Sequence, residues 1–388
     1  MTIDDFKDIA PYNDSDFKDR MAELVTEPGF EHAVKYVMPH VDYQAFVEQL
    51  KSIGSKNELQ KKVMLPFLEL LEKKTSSGMT FSGAENYSTD KSYTIITNHR
   101  DIVLDASFLN LNLLHANLPT TEVAIGDNLL IYEWINNLVR LNKSFIVRRN
   151  LKIKESLEAA RHLSAYIHFC ISTKKESIWI AQREGRAKDS SDQTQESLIK
   201  MLGLSGPSES MRDNIVAVNL MPTSISYEYD PNDYLKVKEY ILKQRDPEFK
   251  KSQHDDLLSM ETGIMSFKGQ IHFHISPCIS DELAKLPAEM TKQEFLRATC
   301  DLIDRRIHAG YQIYPINYVA YDKINGCRRF GDRYTAQQEE SVNSYIEKQL
   351  ARVDIPDITP EEMDLMRERM YCMYSNPLIN KLKAEDGQ

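Results

Sequence analysis

Residues 97–105, Thr-Asn-His-Arg-Asp-Ile-Val-Leu-Asp, place a histidine within a few positions of two carboxylates. A neutral imidazole can remove a proton from a hydroxyl group if a carboxylate fixes its tautomer and stabilises the cation that it becomes. Asp101 and Asp105 are both candidates for that carboxylate, because residues four apart share one face of a helix. The stretch therefore predicts that His99 is a general base with one of these aspartates as its partner.

The elements that flank His99 place it at a junction. Aromatic and β-branched residues over 93–96 predict a strand, and apolar residues spaced through 102–114 predict a helix. Side chains at such a junction project into the crevice of an α/β sheet where ligands bind. The junction also has a purely structural interpretation, in which Asn98 or Asp101 caps the helix and His99 has no chemical role.

Four further stretches follow the histidine along the chain. They are Ile-Gly-Asp-Asn-Leu-Leu at 125–130, Phe-Ile-Val-Arg-Arg at 145–149, Trp-Ile-Ala-Gln-Arg-Glu-Gly-Arg at 179–186 and Leu-Met-Pro-Thr-Ser-Ile-Ser-Tyr at 220–227. In this order they resemble the signature blocks of the glycerolipid acyltransferase family, which includes glycerol-3-phosphate and lysophosphatidate acyltransferases. The resemblance covers roughly residues 79–230.

The chain departs from the family pattern at the aspartate. The family reads H-x-x-x-x-D, whereas Leu104 stands at the aspartate position and Asp105 follows one residue later. An extra residue in the turn after His99 would bring Asp105 within reach of the imidazole. Asp101 remains the alternative partner.

Arginines in two of the stretches are candidate phosphate ligands. The resemblance implies an arginine at 148–149 beside the phosphate of the acceptor, and a guanidinium fork binds phosphate oxygens in pairs. Only one of Arg148 and Arg149 is expected to point into the site, because adjacent strand residues face opposite ways; a solvated pair at a strand end is the structural alternative. Arg186 is predicted to be a second clamp, with Gly185 admitting the ligand close to the backbone and Glu184 orienting Arg186 or the loop.

The resemblance also implies a reaction. The family moves a fatty acyl group from acyl-CoA or acyl carrier protein directly to a hydroxyl of glycerol-3-phosphate or a lysophosphatidate-type acceptor, in phospholipid synthesis and without a cofactor. Backbone N–H groups near Gly185 or at the helix start near 101 would stabilise the oxyanion. Lysophosphatidate acyltransferases typically read E-G-T-R; this chain lacks the threonine, which is more similar to the glycerol-3-phosphate branch.

Two other functions fit the same residues. The acceptor would be an amine or another lysolipid if the arginines do not bind phosphate. Alternatively, the chain would be a non-catalytic protein that binds lipid or acyl carrier protein if the shifted aspartate breaks the dyad. The distance between His99 and Asp105 separates this last function from an enzyme.

Composition restricts the partners and the compartment. The net charge of −10 argues against nucleic acid as a partner. His272 and His274 share a face of a predicted strand, but without further ligands nearby we expect no metal site. The cysteines form no C-x-x-C pair, which favours a reducing cytoplasm; they are Cys170, Cys278, Cys300, Cys327 and Cys372.

Contact with a membrane is expected to be peripheral, on its inner face. The opening residues do not resemble a signal peptide, and no apolar run approaches the ~20 residues of a membrane span. Residues 58–74 predict an amphipathic helix, kinked or split at Pro66, that either lies on a bilayer or faces the core.

Alternating strands and helices predict an α/β fold with a mostly parallel central sheet flanked by helices. We expect an N-terminal helical region at 1–78 and an acyltransferase α/β domain with a C-terminal helical extension at 79–388. Pro222 is expected to end the strand run 215–220, and the resemblance implies that it shapes the acyl-binding side. Strands are predicted near 92–97, 121–125, 144–148, 177–182, 214–227 and 270–276, with later helices near 231–246, 291–309, 335–352 and 359–370.

Overall fold

A single seven-stranded sheet forms the centre of the molecule, with strands in the order β1-β7-β6-β2-β5-β3-β4. The strands are β1 Met79–Ser82, β2 Thr94–Thr97, β3 Glu122–Gly126, β4 Ser144–Val147, β5 Ile178–Ala181, β6 Leu220–Tyr227 and β7 Ile271–Ile275. All neighbours are parallel except β6 and β7. The predicted α/β class with a mostly parallel sheet is confirmed.

The computed structural model describes residues 2–387. Residue 1 of the predicted N-terminal region and residue 388 of the predicted C-terminal region lie outside the described residues. The division near residue 78 stays a prediction, although β1 begins at Met79. The helices before the sheet are α1 Phe17–Leu24, α2 Pro28–Val37, α3 Tyr43–Lys51, α4 Lys56–Leu59 and α5 Leu65–Thr75.

Further helices connect the strands and follow the sheet. The connecting helices are α6 Leu104–His115, α7 Glu133–Leu141, α8 Ile153–Phe169, α9 Glu196–Leu202 and α10 Met211–Ala217. The remaining helices are α11 Asp233–Arg245, α12 Gln253–Met265, α13 Ser280–Ala284, α14 Lys292–Ala309, α15 Pro315–Ile324, α16 Ala336–Leu350 and α17 Pro360–Glu385.

Both faces of the sheet are buried, which explains why its strands are apolar runs. Adjacent residues face opposite ways, so Ile96 and Ile180 join the cluster formed with α8, α9 and α14, whereas Ile95 and Trp179 join the cluster formed with α5 and α6. The C-terminal helices α11 and α15–α17 enclose a separate apolar cluster. The carboxyl ends of the central strands are thereby fixed from both sides.

The predicted strand at 214–227 is wrong in its first part. Residues 211–217 are helical as α10, and the strand begins only at Leu220. The reason is local, because the Ser210 side chain accepts the N–H of Asp213 and caps the helix before the β-branched residues at 215–218.

Pro222 does not end a strand, contrary to the prediction. It lies within β6, opposite Ile96 of β2, and its carbonyl accepts the N–H of Ser276 at 3.0 Å. The N–H and C=O positions of one strand residue lie on the same edge, so the proline nitrogen faces the end of the β6–β7 ladder rather than β2. The missing donor is tolerated there because it removes only a terminal ladder bond.

The helical segment at 58–74 faces the core. A π-helical turn, Gln60–Met64, precedes Pro66 at the start of α5, which accommodates the missing N–H without breaking the segment. Leu68 and Leu71 are buried. Among residues 2–387, no helix combines the length and the apolar composition that a membrane span requires.

Several elements carry no clear sequence signal. The prediction omits β1, α9, α12, α13 and α15, and it ends the last helix near 370, whereas α17 extends to Glu385. The edge strand β1 has only four residues and none of them is buried. By contrast, α14, α16 and α17 begin at capping threonines, where the sequence predicts them: Thr291, Thr335 and Thr359.

Candidate active site

His99 lies in the turn between the end of β2 and the start of α6. Its Nδ1 lies 2.8 Å from Oδ2 of Asp105, and the two side chains are 13% and 1% exposed. The same carboxylate oxygen accepts the backbone N–H of Arg100 at 2.7 Å and of Asp101 at 3.1 Å. The acceptor-only carboxylate fixes the proton on Nδ1, which leaves Nε2 as the basic nitrogen.

Asp101 has a different contact. Its Oδ1 accepts the N–H groups of Val103 at 2.8 Å and Leu104 at 2.7 Å, so it caps the first turn of α6. The structure therefore separates the two aspartates: Asp105 bonds to the imidazole, and Asp101 is the cap. One additional residue in the turn brings Asp105 to His99, as the departure from the family spacing requires.

Burial favours the neutral form of Asp101. Burial and then the neighbouring charge of Asp105 raise the pKa of the Asp101 carboxyl. Its Oδ2 is buried with no hydrogen-bond partner among residues 2–387. Helix α12 approaches this oxygen so closely that a Cβ at Gly263 would lie 1.9 Å from it. No local sequence pattern predicts this contact of Gly263 with Asp101, because the two residues are far apart in the chain.

Trp179 forms a rigid wall beside the imidazole. Its ring meets that of His99 edge to face, with centroids 5.9 Å apart and planes at 67°. The indole Nε1–H donates to Oγ1 of Thr97 at 3.1 Å, which fixes the tryptophan ring in turn. The His99 ring is thus held by a carboxylate at one nitrogen and by an aromatic edge along its side.

A cleft of about 530 Å³ opens in front of His99, at the carboxyl ends of β3, β4 and β5. This is the edge of an α/β sheet where ligands bind. One part of its wall is apolar, formed by Ile125, Leu129, Val147, Ala160, Leu163, Leu198 and Met201. Cationic side chains also line it: Arg148, Arg149, Arg183, Arg186, Lys188 and Lys251.

The neighbouring arginines Arg148 and Arg149 point in different directions. Arg148 is 48% exposed and pairs with Asp8 at 2.7 Å. The N-terminal segment lies along edge strand β4, where the N–H of Ile146 donates to the carbonyl of Ile9 at 2.9 Å, so Asp8 is close to Arg148. Arg149 instead lies against the cleft, where a Cβ at Gly126 would be 2.6 Å from its Nε.

Glu184 does not orient Arg186, which corrects one of the two roles expected for it. Its carboxylate pairs with Nη1 of Arg149 at 2.7 Å, and its backbone N–H donates to Gln195 Oε1 at 2.7 Å. Glu184 is 69% exposed, so this pair is accessible to a competing anion. The contact therefore orients the Arg149 guanidinium at the mouth of the cleft.

Gly185 and Arg186 both have groups available to a ligand. Gly185 has a φ of +66°, and a Cβ built there would meet no atom within 4 Å, so its backbone borders open space. Arg186 is only 7% exposed and lines the cleft, yet no carboxylate of residues 2–387 forms an ion pair with it. The side-chain oxygen of Asn232 accepts a hydrogen bond from Nη1 of Arg186 at 2.9 Å when the side-chain amide nitrogen donates to the backbone carbonyl of Ser259.

Two lysines that line the cleft, Lys188 and Lys251, are not among the site residues predicted from the sequence. Lys188 pairs with Glu239 at 2.6 Å, and burial lowers its pKa to about 8. Lys251 lies 3.0 Å from Asp256. Lys188 lies close to Arg186 in the chain and could have been suspected, whereas Lys251 reaches the cleft only through the loop between α11 and α12.

His272 and His274 lie in a network of hydroxyl groups. Nδ1 of His272 is 2.7 Å from Thr80 Oγ1, and the Ser82 hydroxyl lies 3.1 Å from His272 Nε2 and 2.8 Å from His274 Nδ1. Within residues 2–387, no group of three or more His, Cys, Asp or Glu residues has the arrangement of a metal site.

Comparison with known protein families finds a match over the part of the chain that contains β1 to β5. The family model described as Acyltransferase matches residues 78–202, which include His99, Asp105, both arginines after β4 and the loop after β5. The match covers less than half of the chain and ends before β6. Comparison with curated proteins gives no match.

Proposed function

We propose that the chain is a glycerolipid O-acyltransferase, from the premise that residues 78–202 match the model of the acyltransferase family. It moves a fatty acyl group from acyl-CoA or acyl carrier protein to a hydroxyl of glycerol-3-phosphate or a lysophosphatidate-type acceptor, in phospholipid synthesis. The observation that carries the proposal is the 2.8 Å contact between His99 and Asp105 at a cleft lined by arginines.

His99 supplies the base in this reaction. Its Nε2 takes the proton of the acceptor hydroxyl while the oxygen attacks the thioester carbonyl. The tetrahedral intermediate collapses, the C–S bond breaks, and the imidazolium returns its proton to the leaving thiolate. Asp105 stabilises the imidazolium between these two proton transfers. The acyl group passes directly from sulfur to oxygen, without a covalent bond to the enzyme.

The arginines position the acceptor. Arg186 is buried at the cleft without a carboxylate partner among the described residues, so a phosphate would supply its missing counter-charge. Arg149 exchanges its exposed contact with Glu184 for a second phosphate oxygen. Holding the phosphate at two points places the hydroxyl against His99. Such positioning accelerates the reaction, because the bound acceptor no longer has to lose rotational and translational freedom to reach the transition state.

Backbone N–H groups stabilise the oxyanion. In the turn after His99, the N–H groups of Arg100, Asp101, Val103 and Leu104 all donate to the side chains of Asp101 and Asp105. Ile102 and Gly185 line the cleft, and their N–H groups donate to no acceptor among residues 2–387. We propose that these two N–H groups donate hydrogen bonds to the oxyanion of the tetrahedral intermediate. They lie in the two regions, near Gly185 and near the start of α6, for which the sequence predicts oxyanion donors.

The test is a steady-state assay of the purified chain with both donors against phosphorylated and unphosphorylated acceptors. We expect activity only with a phosphorylated acceptor. Arg186→Ala and Arg149→Ala should each raise the acceptor KM by roughly 10- to 100-fold, because a charge-assisted bond to phosphate is lost. Lysine replacements should restore acceptor binding only partly, since a point charge lacks the planar fork.

Arg148→Ala is the matched control: Arg148 also lines the cleft, but its guanidinium pairs with Asp8 and is about half exposed. It should leave the acceptor KM unchanged. Equal damage to donor and acceptor by the other two variants would mean that these arginines bind the donor or hold the loop. Transfer to an amine or to an unphosphorylated lysolipid would overturn the acceptor class, and absence of any transfer would favour a binding protein.

Peripheral contact with the inner face of a membrane belongs to the same proposal. The first turns of α8 carry Ile153, which is 91% exposed, and Leu157, which is 47% exposed, one turn apart. Ser156 between them lines the cleft, so these side chains border the entrance through which a lipid product leaves. The double variant Ile153→Ser, Leu157→Ser should bind phosphatidylglycerol vesicles several-fold more weakly in sedimentation assays. Unchanged binding would place the membrane contact elsewhere.

A further inference from the structure

The loop between β5 and α9 carries the proposed acceptor ligands in an unfavourable backbone conformation. Beyond Gly185 and Arg186, Ser190 has a φ of +58° and Asp192 a φ of +48°. Such positive φ values lie in the left-handed region of backbone conformation, where a Cβ atom raises the energy of residues other than glycine. Surrounding contacts must therefore stabilise the loop. Residues 183–195 therefore depend on contacts from outside the loop.

Arg100 makes the first of these contacts. Its Nη2 lies 2.7 Å from Oδ2 of Asp192, and the two side chains are 6% and 1% exposed. The backbone N–H of the same residue donates to Asp105. Arg100 therefore touches the dyad carboxylate with its main chain and the acceptor loop with its side chain, immediately after His99 in the sequence.

Helix α14 and the segment after it bind the same loop. The Tyr311 hydroxyl donates to Asp192 Oδ2 at 2.7 Å, and His308 Nε2 lies 2.9 Å from the Asp192 carbonyl. The N–H and the hydroxyl of Thr194 both donate to Asp304. The buried Asp192 carboxylate thus has the Arg100 guanidinium as its counter-charge and the Tyr311 hydroxyl as a further donor, as a buried charge requires.

Helix α17 completes the contacts. The Asn376 amide donates to the carbonyl of Asp189 at 2.7 Å, and the Asn380 amide donates to those of Ser190 and Ser191 at 3.2 and 3.1 Å. Both helices lie outside the stretch 78–202 that matches the acyltransferase family. Helices α14 and α17 are therefore in direct contact with the loop of the matched stretch that carries Arg186.

We propose that helices α14 and α17 and the Arg100–Asp192 ion pair position the acceptor loop, so that the phosphate clamp Arg186 stays at a fixed distance from the base His99. Asp192, Asn376 and Asn380 are positioning residues in this account. They act through Arg186 and touch no substrate. The proposal rests on the acyltransferase function proposed above, and it gives the C-terminal extension a specific role in acceptor binding.

The main test uses the double variant Asn376→Ala, Asn380→Ala, because Asp192→Asn leaves Arg100 buried without a counter-charge and can unfold the chain. The double variant removes only bonds to loop carbonyls. Hydrogen exchange read by mass spectrometry should increase over residues 183–195. The acceptor KM should rise by roughly 5- to 30-fold, with the donor KM unchanged.

Two comparisons distinguish positioning from general stability. Asn343→Ala removes the contact between Asn343 of α16 and Tyr371 of α17, away from the acceptor loop, and should change neither readout. Combining the double variant with Arg186→Ala should cause no further loss of acceptor use, because residues acting through one another are not additive.

Exchange over residues 183–195 that matches the wild type would overturn the proposal, whether or not the chain is active. Additive losses with Arg186→Ala, or equal losses for donor and acceptor, would also overturn it, since the helices would then stabilise the fold and not the clamp. If the wild type transfers no acyl group, the proposed function fails, and hydrogen exchange alone still decides whether α17 holds the loop.

Discussion

His99→Ala should lower the rate of acyl transfer by roughly 10²- to 10⁴-fold, because the hydroxyl then attacks without a base to take its proton. The fold should be preserved, since the imidazole lies at the cleft surface and its loss leaves Asp105 bonded to two backbone N–H groups. The measurement is kcat at saturating donor and acceptor, with the melting temperature recorded for each variant.

His115→Ala is the matched control for this prediction. His115 ends the same helix, α6, and pairs with Glu69 at the surface, 2.9 Å away. Its loss should leave turnover at the wild-type level. Near wild-type turnover for His99→Ala would remove His99 from the mechanism.

Asp105→Asn should lower turnover by roughly 10²- to 10⁴-fold, because an amide no longer fixes the Nδ1 proton or stabilises the imidazolium. Asp101→Asn should cost only a few-fold. Its cap to Val103 and Leu104 needs one side-chain oxygen, which asparagine retains, and burial already favours the neutral form of Asp101. Comparing kcat of the two isosteric variants measures the difference.

The reverse ranking would contradict this assignment. A large loss in Asp101→Asn with little change in Asp105→Asn would make Asp101 the partner of the base. The 2.8 Å contact between His99 and Asp105 would then be a resting arrangement that changes when substrates bind.

Local sequence signals predicted the centre of the fold well. Alternating apolar runs and amphipathic segments indicate a mostly parallel sheet, since strands buried on both faces read as continuous apolar stretches. The position of His99 at the cleft agrees with the prediction, because a strand-to-helix junction brings a side chain to the ligand edge, and its role as the base stays a prediction. The failure at 214–217 has the same local character, as the cap by Ser210 outweighed the β-branched residues after it.

Contacts between distant segments could not be predicted in this way. Alternation predicts that only one of Arg148 and Arg149 points into the site, but both line the cleft, and their different partners depend on the N-terminal segment against β4, which supplies Asp8 for Arg148. The same applies to Gly263 against Asp101 and to Lys251 in the cleft. Periodicity describes the face of an element, whereas these contacts depend on how elements pack together.

Detection of the acylated product tests the central claim most directly. The purified chain is incubated with acyl-CoA or acyl carrier protein and with glycerol-3-phosphate or lysophosphatidate, and the products are identified by mass spectrometry in parallel with His99→Ala. The account predicts a phosphorylated glycerol ester that forms with the wild type and falls by roughly 10²-fold or more with the variant. Absence of this ester with every donor and acceptor, or its equal formation by both proteins, would contradict the account.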